Sequence, residues 1–245
     1  MVSNSSQPSD ASPDPSAVIR LLRTWLQRSV AAEAVQWLDA EIDNFQTRID
    51  ERRLPIALGL VRRKIGRKEL ALGARDVEFA GQLRSRWAPQ WWSTDEAARV
   101  AILLATHQGD DQAFAARVER LCATAEITEL VAILKAFAIL PAPKLLGDRA
   151  REGVRSSMQP VFEAIACRNP YPFDYFDEAA WNQMVVKCVF VGAPIDAISG
   201  LLERRNPELI RMLVDLIAER RSANRPVAQS VLDYVADHQS RRLPA

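Results

Sequence analysis

Apolar residues recur at helical spacing along nearly the whole chain from Ala17 onward. Two early stripes are formed by Val18, Leu21, Leu22 and Trp25, and then by Val30, Ala34, Trp37, Leu38 and Ile42. Residues three and four positions apart share one face of a helix, so each stripe predicts an amphipathic helix. No segment shows the two-residue alternation that is typical of strands, and the pattern therefore predicts an all-α protein.

Capping signals place some of the helix ends. Ser93 and Glu96 have the spacing of a capping box, which predicts a helix that continues through Leu104 and stops near Gly109. Gly66 stands where a glycine often ends a helix. The other predicted helices are Leu54–Ile65, Asp111–Ala123, Thr128–Leu140, Asp148–Ala166, Asp177–Val191, Pro207–Arg220 and Val227–His238.

Short connections between these helices favour antiparallel neighbours. The segment Ala101–Ala105 resembles Ala132–Ala136, 31 residues later, and such an internal echo is typical of helical repeats. The expected architecture is a set of antiparallel helix pairs, arranged as a HEAT-like right-handed α-solenoid or as an irregular helical bundle. Residues 1–15 are rich in Ser and Pro and are expected to form a disordered tail, followed by a single helical domain over residues 16–245.

Charge and hydrophobicity indicate which binding partners and which cellular location to expect. The formal net charge is +1, which favours neither nucleic acid nor an anionic membrane as partner. No stretch is apolar and uncharged for long enough to cross a membrane, and the N-terminus lacks the basic and apolar regions of a signal peptide. We therefore expect a soluble cytoplasmic protein.

The familiar catalytic motifs are missing from the sequence. The nine glycines include no GxGxxG, no GxxxxGK[ST] and no GxSxG pattern, so no cofactor or phosphate loop is predicted. The three cysteines are too widely spaced for a metal knuckle or a disulfide framework. These observations favour a non-enzymatic protein with no catalytic residues, no cofactor and no metal ligands.

The segment Arg168–Lys187 holds most of the candidate chemistry. Pro170 and Pro172 are expected to keep the preceding residues, Asn169 and Tyr171, extended, in a stiff loop that ends in a helix. Three acids lie at the start of that helix: Asp174, Asp177 and Glu178. They suit helix capping, or else a magnesium cluster in an enzyme that acts on a prenyl or aromatic precursor.

The helix that follows is apolar nearly all round and yet contains Lys187. A buried lysine needs a carboxylate, a lowered pKa or a wet cavity. One alternative is a core network with Glu163 or Glu219. The other is a ligand pocket, to which Arg155 on the preceding polar stripe would add an anchor for a carboxylate or phosphate. The candidate ligand-binding set is Arg155, Asn169, Tyr171, Asp174, Tyr175, Trp181, Asn182, Gln183 and Lys187.

Several of these segments resemble the EboA family. The matching elements follow in order over roughly residues 90–230: Ala125–Val131, Arg149–Arg155, Asn169–Pro172, Tyr175–Met184 and Glu219–Arg220. The Asn-Pro-Tyr-Pro and Ala-Trp-Asn-Gln-Met elements are distinctive together. Ser157 stands where the family usually has Asn, and Arg221 stands where it usually has Trp.

The resemblance implies a biological setting rather than a reaction. EboA-like proteins are encoded beside a membrane prenyltransferase, in clusters associated with the movement of secondary-metabolite precursors towards the cell envelope. The resemblance thus implies a non-enzymatic protein that binds a metabolite, or other proteins of the same cluster, and leaves room for a transient contact with a membrane protein. A pure protein scaffold, with an exposed apolar groove for a partner helix, is the remaining alternative.

Overall fold

The computed structural model describes the backbone of residues 12–240 and the side chains of residues 12–237, and this part of the chain is all-α. It contains thirteen α-helices: α1 Pro15–Ser29, α2 Ala32–Thr47, α3 Arg53–Ile65, α4 Ala74–Leu83, α5 Thr94–Ala105, α6 Asp111–Thr124, α7 Ile127–Lys135, α8 Gly147–Arg155, α9 Gln159–Ala166, α10 Tyr171–Tyr175, α11 Glu178–Val191, α12 Pro207–Ser222 and α13 Gln229–Ser240. Most of the expected tail, residues 1–11, lies outside this description. Asp14 caps α1 by accepting from the backbone of Ser16 and Ala17.

The predicted capping signals are confirmed. The backbone N–H of Ser93 donates to Glu96 Oε2 over 2.9 Å, as in a capping box, and α5 begins at the next residue. Gly66 follows the last residue of α3 with φ of 76°, a left-handed value that glycine adopts without a Cβ clash. Local sequence therefore determines these two boundaries directly.

Helix α5 is the centre of the N-terminal part, because every one of its residues is buried. It packs against four helices, α1, α2, α3 and α7. Its buried charges are paired: Arg99 Nη1 donates to Asp95 Oδ2 over 2.8 Å within the helix, and Glu96 pairs with Lys135 of α7. Trp25, Trp87 and Trp92 lie in the same core with ring centroids 5.6 and 5.7 Å apart, as expected for aromatic residues that join neighbouring helices.

The C-terminal part continues as a series of packed helices. Helix α7 packs on α9, α8 and α11 also pack on α9, and then α11, α12 and α13 follow one another. The order of contacts thus follows the order of the chain. None of the helices in the described range is long and apolar enough to cross a membrane.

Three local predictions are wrong. The helix predicted over Thr128–Leu140 ends at Lys135 as α7, and Phe137–Ile139 form a 3₁₀ turn after it. The helix predicted over Asp148–Ala166 is two helices, α8 and α9, because the chain turns at Ser156–Met158 before Pro160 in the first turn of α9. Proline lacks the N–H that a helix interior needs, but it is tolerated in a first turn. Tyr171 is also not extended, since it begins the short helix α10, with Pro172 in its first turn.

Candidate functional site

A cavity of about 410 Å³ lies between the C-terminal half of α8 and one face of α11. It is lined by Arg151, Val154, Arg155, Asp177, Ala179, Ala180, Gln183, Met184 and Lys187. Three of these residues belong to the set predicted from sequence: Arg155, Gln183 and Lys187. Three of the lining side chains are cations and one is an acid, so the wall carries a surplus of positive charge.

Lys187 reaches from α11 to the end of α8. Its Nζ donates to the backbone carbonyls of Val154 and Ser156 over 2.6 and 2.8 Å, and it lies 5.1 Å from the centroid of the Phe162 ring. Burial lowers the pKa of this ammonium. The alternative of a network with an acid is wrong in its partner, because Lys187 is held by two carbonyls and neither Glu163 nor Glu219 forms an ion pair with it. Two of its three N–H donors are therefore used by backbone carbonyls, and the residue lines the cavity.

The two arginines of the cavity differ in their partners. Arg151 Nη2 donates to Asp177 Oδ2 over 3.2 Å. Arg155, the last residue of α8, is exposed and forms no ion pair within the described part of the chain. Gln183 is also exposed, one turn before Lys187 on α11. Arg155 and Gln183 are thus available to a ligand.

The other six predicted residues lie away from this cavity wall. Asn169 is buried, and its amide donates to the carbonyls of Leu134 and Ala164 while its oxygen accepts from the backbone of Tyr171. Tyr171 is fully buried, its hydroxyl donates to Pro143 O over 2.6 Å, and its ring lies 4.8 Å from that of Tyr175. The polar groups of Asn169 and Tyr171 are thus used within the fold, where they fix the loop, and the ring of Tyr175 packs on that of Tyr171.

Asn182 and Trp181 are also packing residues. Asn182 and Asn206 exchange reciprocal amide hydrogen bonds of 2.8 and 3.1 Å, which join α11 to the start of α12. Trp181 is fully buried beneath the guanidinium of Arg204, whose carbon lies 4.6 Å from the ring centroid. Neither side chain lines the cavity.

The three acids considered for magnesium have different local roles. Asp174 forms an ion pair with Arg84, and Asp177 caps α11 by accepting from the backbone of Ala180 over 2.8 Å. Glu178 is exposed in the first turn of α11. Among residues 12–237, no group of three or more His, Cys, Asp or Glu side chains is placed to hold a metal ion. The acids therefore act as separate capping and pairing groups.

Sequence reasoning missed the arginines that organise this region. Arg204 Nη1 donates to the carbonyls of Pro172, Phe173 and Phe176 around the end of α10, and burial lowers its pKa. Arg84, from the end of α4, pairs with Asp174 across the fold. Their signal in the sequence is weak, because each lies far from its partners along the chain.

The sequence of this helical array matches one family profile, described as metabolite traffic protein EboA, over residues 18–236. The chain belongs to the EboA family. Its matched region includes the whole α8–α11 cavity and nearly all described helices. Comparison with curated proteins and with solved structures gave no significant match. The EboA assignment therefore indicates metabolite traffic as the general role.

Proposed function

We propose that the protein is a cytoplasmic, non-enzymatic carrier that binds an anionic metabolite in the α8–α11 cavity during the traffic of secondary-metabolite precursors towards the cell envelope. The observation that supports it best is that two cations line the same cavity. One is the guanidinium of Arg155, which has no ion-pair partner among the described residues, and the other is the partly buried ammonium of Lys187. A phosphate or carboxylate would neutralise both groups. Met184 and Ala180 would contact the apolar part of the ligand.

The cavity suits binding better than group transfer. Apart from Lys187, whose ammonium is held by two carbonyls, its lining has no nucleophile paired with a base. Two of the three acids of the prenyl-enzyme alternative, Asp174 and Asp177, pair with Arg84 and Arg151 instead of converging on one point. A carrier needs only a surface complementary to its ligand and a partner to which it releases that ligand. We propose that its partners are other proteins of the same gene cluster, including a membrane protein.

The test is a thermal-shift and calorimetric titration with inorganic diphosphate, benzoate and farnesyl diphosphate as probes. A ligand at about 100 times its Kd stabilises the native state by roughly 2.7 kcal/mol, which raises Tm by about 5–10 °C for a chain of this length. Arg155→Met should weaken binding at least tenfold. Arg63→Met, which removes an exposed cation of α3 far from the cavity in sequence, is the matched control and should leave binding unchanged.

Lys187→Met is a second variant, but it also removes two hydrogen bonds at the end of α8 and is expected to lower stability. Binding by none of the three probes up to millimolar concentration, or equal binding by wild type and Arg155→Met, would overturn the proposal. The apolar groove between α12 and α13, lined by Val214, Ile217, Leu232 and Val235, would then favour the scaffold alternative.

A further inference from the structure

A second cavity, of about 240 Å³, lies beside α9 and has a different set of charges. Its walls come from the segment before α5 and the first turn of α5, from α7, and from α9 with the two residues that follow it, while Arg67 is contributed by the segment after α3. Trp91, Val131, Ala164 and Cys167 supply apolar surface, and charged groups surround them. Trp91 is 55% exposed, although the neighbouring Trp92 is buried.

One pair of charges in this cavity is already satisfied. Lys135 Nζ donates to both carboxylate oxygens of Glu96 over 2.8 and 2.9 Å and to the carbonyl of Trp91 over 3.2 Å. All three ammonium donors are used, and Glu96 also accepts from the backbone of Ser93. This pair forms a neutral and fixed part of the wall.

Two other charges of opposite sign have no ion-pair partner among the described residues. Arg168 and Glu163 both line the cavity, yet neither forms an ion pair with the other or with any other side chain in the described range. Glu163 Oε1 accepts one hydrogen bond, from Gln159 Nε2 over 2.7 Å. Arg67, which also lines the cavity, adds a second guanidinium that has no ion-pair partner among residues 12–237.

Arg168 is held in place by its surroundings. Its backbone has φ of 55°, a conformation that non-glycine residues rarely adopt, and its N–H donates to Ala197 O over 2.7 Å. The next residue, Asn169, is anchored by three hydrogen bonds. The guanidinium carbon lies 4.0 Å from the centroid of the Trp91 ring. Strained backbone that the fold maintains is typical of functional positions.

We propose that this cavity binds a zwitterionic small molecule of the α-amino acid class. Its carboxylate would pair with Arg168, its ammonium with Glu163, and its side chain would lie against Trp91 and Val131. Two unpaired charges of opposite sign that face one cavity without reaching each other match a ligand that carries both charges. The inference is independent of the α8–α11 site. The one acid of that site, Asp177, is paired with Arg151, whereas Glu163 in this cavity has no ion-pair partner among the described residues and can accept an ammonium.

The test uses three probes with the same apolar body: L-phenylalanine, phenethylamine and 3-phenylpropionate. By isothermal titration calorimetry, L-phenylalanine should bind at least tenfold more tightly than the other two, since each of them lacks one charge. Glu163→Gln and Arg168→Met should each weaken its binding at least tenfold. Glu163→Gln is nearly isosteric and changes a half-buried carboxylate without an ion pair, so its fold is expected to be intact even if Arg168→Met is unstable.

Arg155→Met is the matched control, because it removes a cation from the other cavity and should not change L-phenylalanine binding. The proposal is overturned if L-phenylalanine does not bind up to millimolar concentration, if the single-charge probes bind equally well, or if Glu163→Gln binds like wild type. Each of these results leaves the α8–α11 carrier proposal standing, since that proposal depends on anion binding lost in Arg155→Met.

Discussion

Two glycines with similar backbone angles differ in the space that a side chain would have, and we therefore expect their substitutions to differ in effect on stability. Gly192 and Gly200 have φ of 76° and 77°. A Cβ on Gly192 would meet nothing within 4 Å, whereas one on Gly200 would lie 2.0 Å from the ring of Phe173. That ring cannot easily move, because the guanidinium carbon of Arg86 lies 4.1 Å from its centroid.

We therefore expect Gly200→Ala to lower the free energy of unfolding by about 3 kcal/mol, the sum of a left-handed backbone cost and an overpacking cost. Gly192→Ala pays only the backbone cost, about 1 kcal/mol. Urea denaturation followed by circular dichroism measures both. Equal losses in the two variants would show that Phe173 does not restrict position 200.

At the scale of a helix, Asp177 makes the start of α11 sensitive to pH. Its carboxylate accepts from the Ala180 N–H and from Arg151, and these contacts lower its pKa from the ordinary value of 3.8. A carboxyl whose pKa is lower in the folded state stabilises that state above pH 3.8, and the stabilisation is lost as the pH falls through the folded-state pKa.

Asp177→Ala should accordingly cost about 1 kcal/mol at pH 7, the usual effect of losing an N-cap, and much less at pH 3. Denaturant titrations of wild type and variant at the two pH values provide the comparison. Asp215→Ala is the control, since Asp215 forms an exposed ion pair within α12 and its loss should change stability by no more than about 0.5 kcal/mol at either pH. A pH-independent loss in Asp177→Ala would contradict this account.

The sequence was a good guide to elements and a poor one to the candidate site. Helical periodicity and short-range signals such as Ser93–Glu96 predicted the all-α class and most helices, because those signals act within one turn. Asn169 and Asn182 were expected to line a ligand site, but their partners, Leu134 and Asn206, lie 35 and 24 residues away. A polar side chain within an apolar stretch of sequence indicates either a ligand site or a hydrogen bond inside the core. Only the tertiary contacts distinguish these two cases.

For the molecule as a whole, the order of packing predicts a gradient of local stability. The amides of α5 are enclosed by four neighbouring helices, so they should exchange only on global unfolding. Helix α13 packs mainly on α12 and on the turn at Ile195–Ala197, and it should open at a lower free energy. Hydrogen exchange with peptide-level mass spectrometry should show α13 labelled well before α5. Simultaneous labelling of both would indicate one cooperative unit instead.

The central position of α5 also has a consequence for how the chain is made. Helices α1, α2 and α3 bury their apolar faces mainly against a helix that ends at Ala105, whereas α3 itself ends at Ile65. At about 5–20 residues per second, the ribosome needs roughly 2–8 s to synthesise the intervening segment. During that interval three amphipathic helices have no completed core, and the nascent chain exposes the surfaces that chaperones recognise.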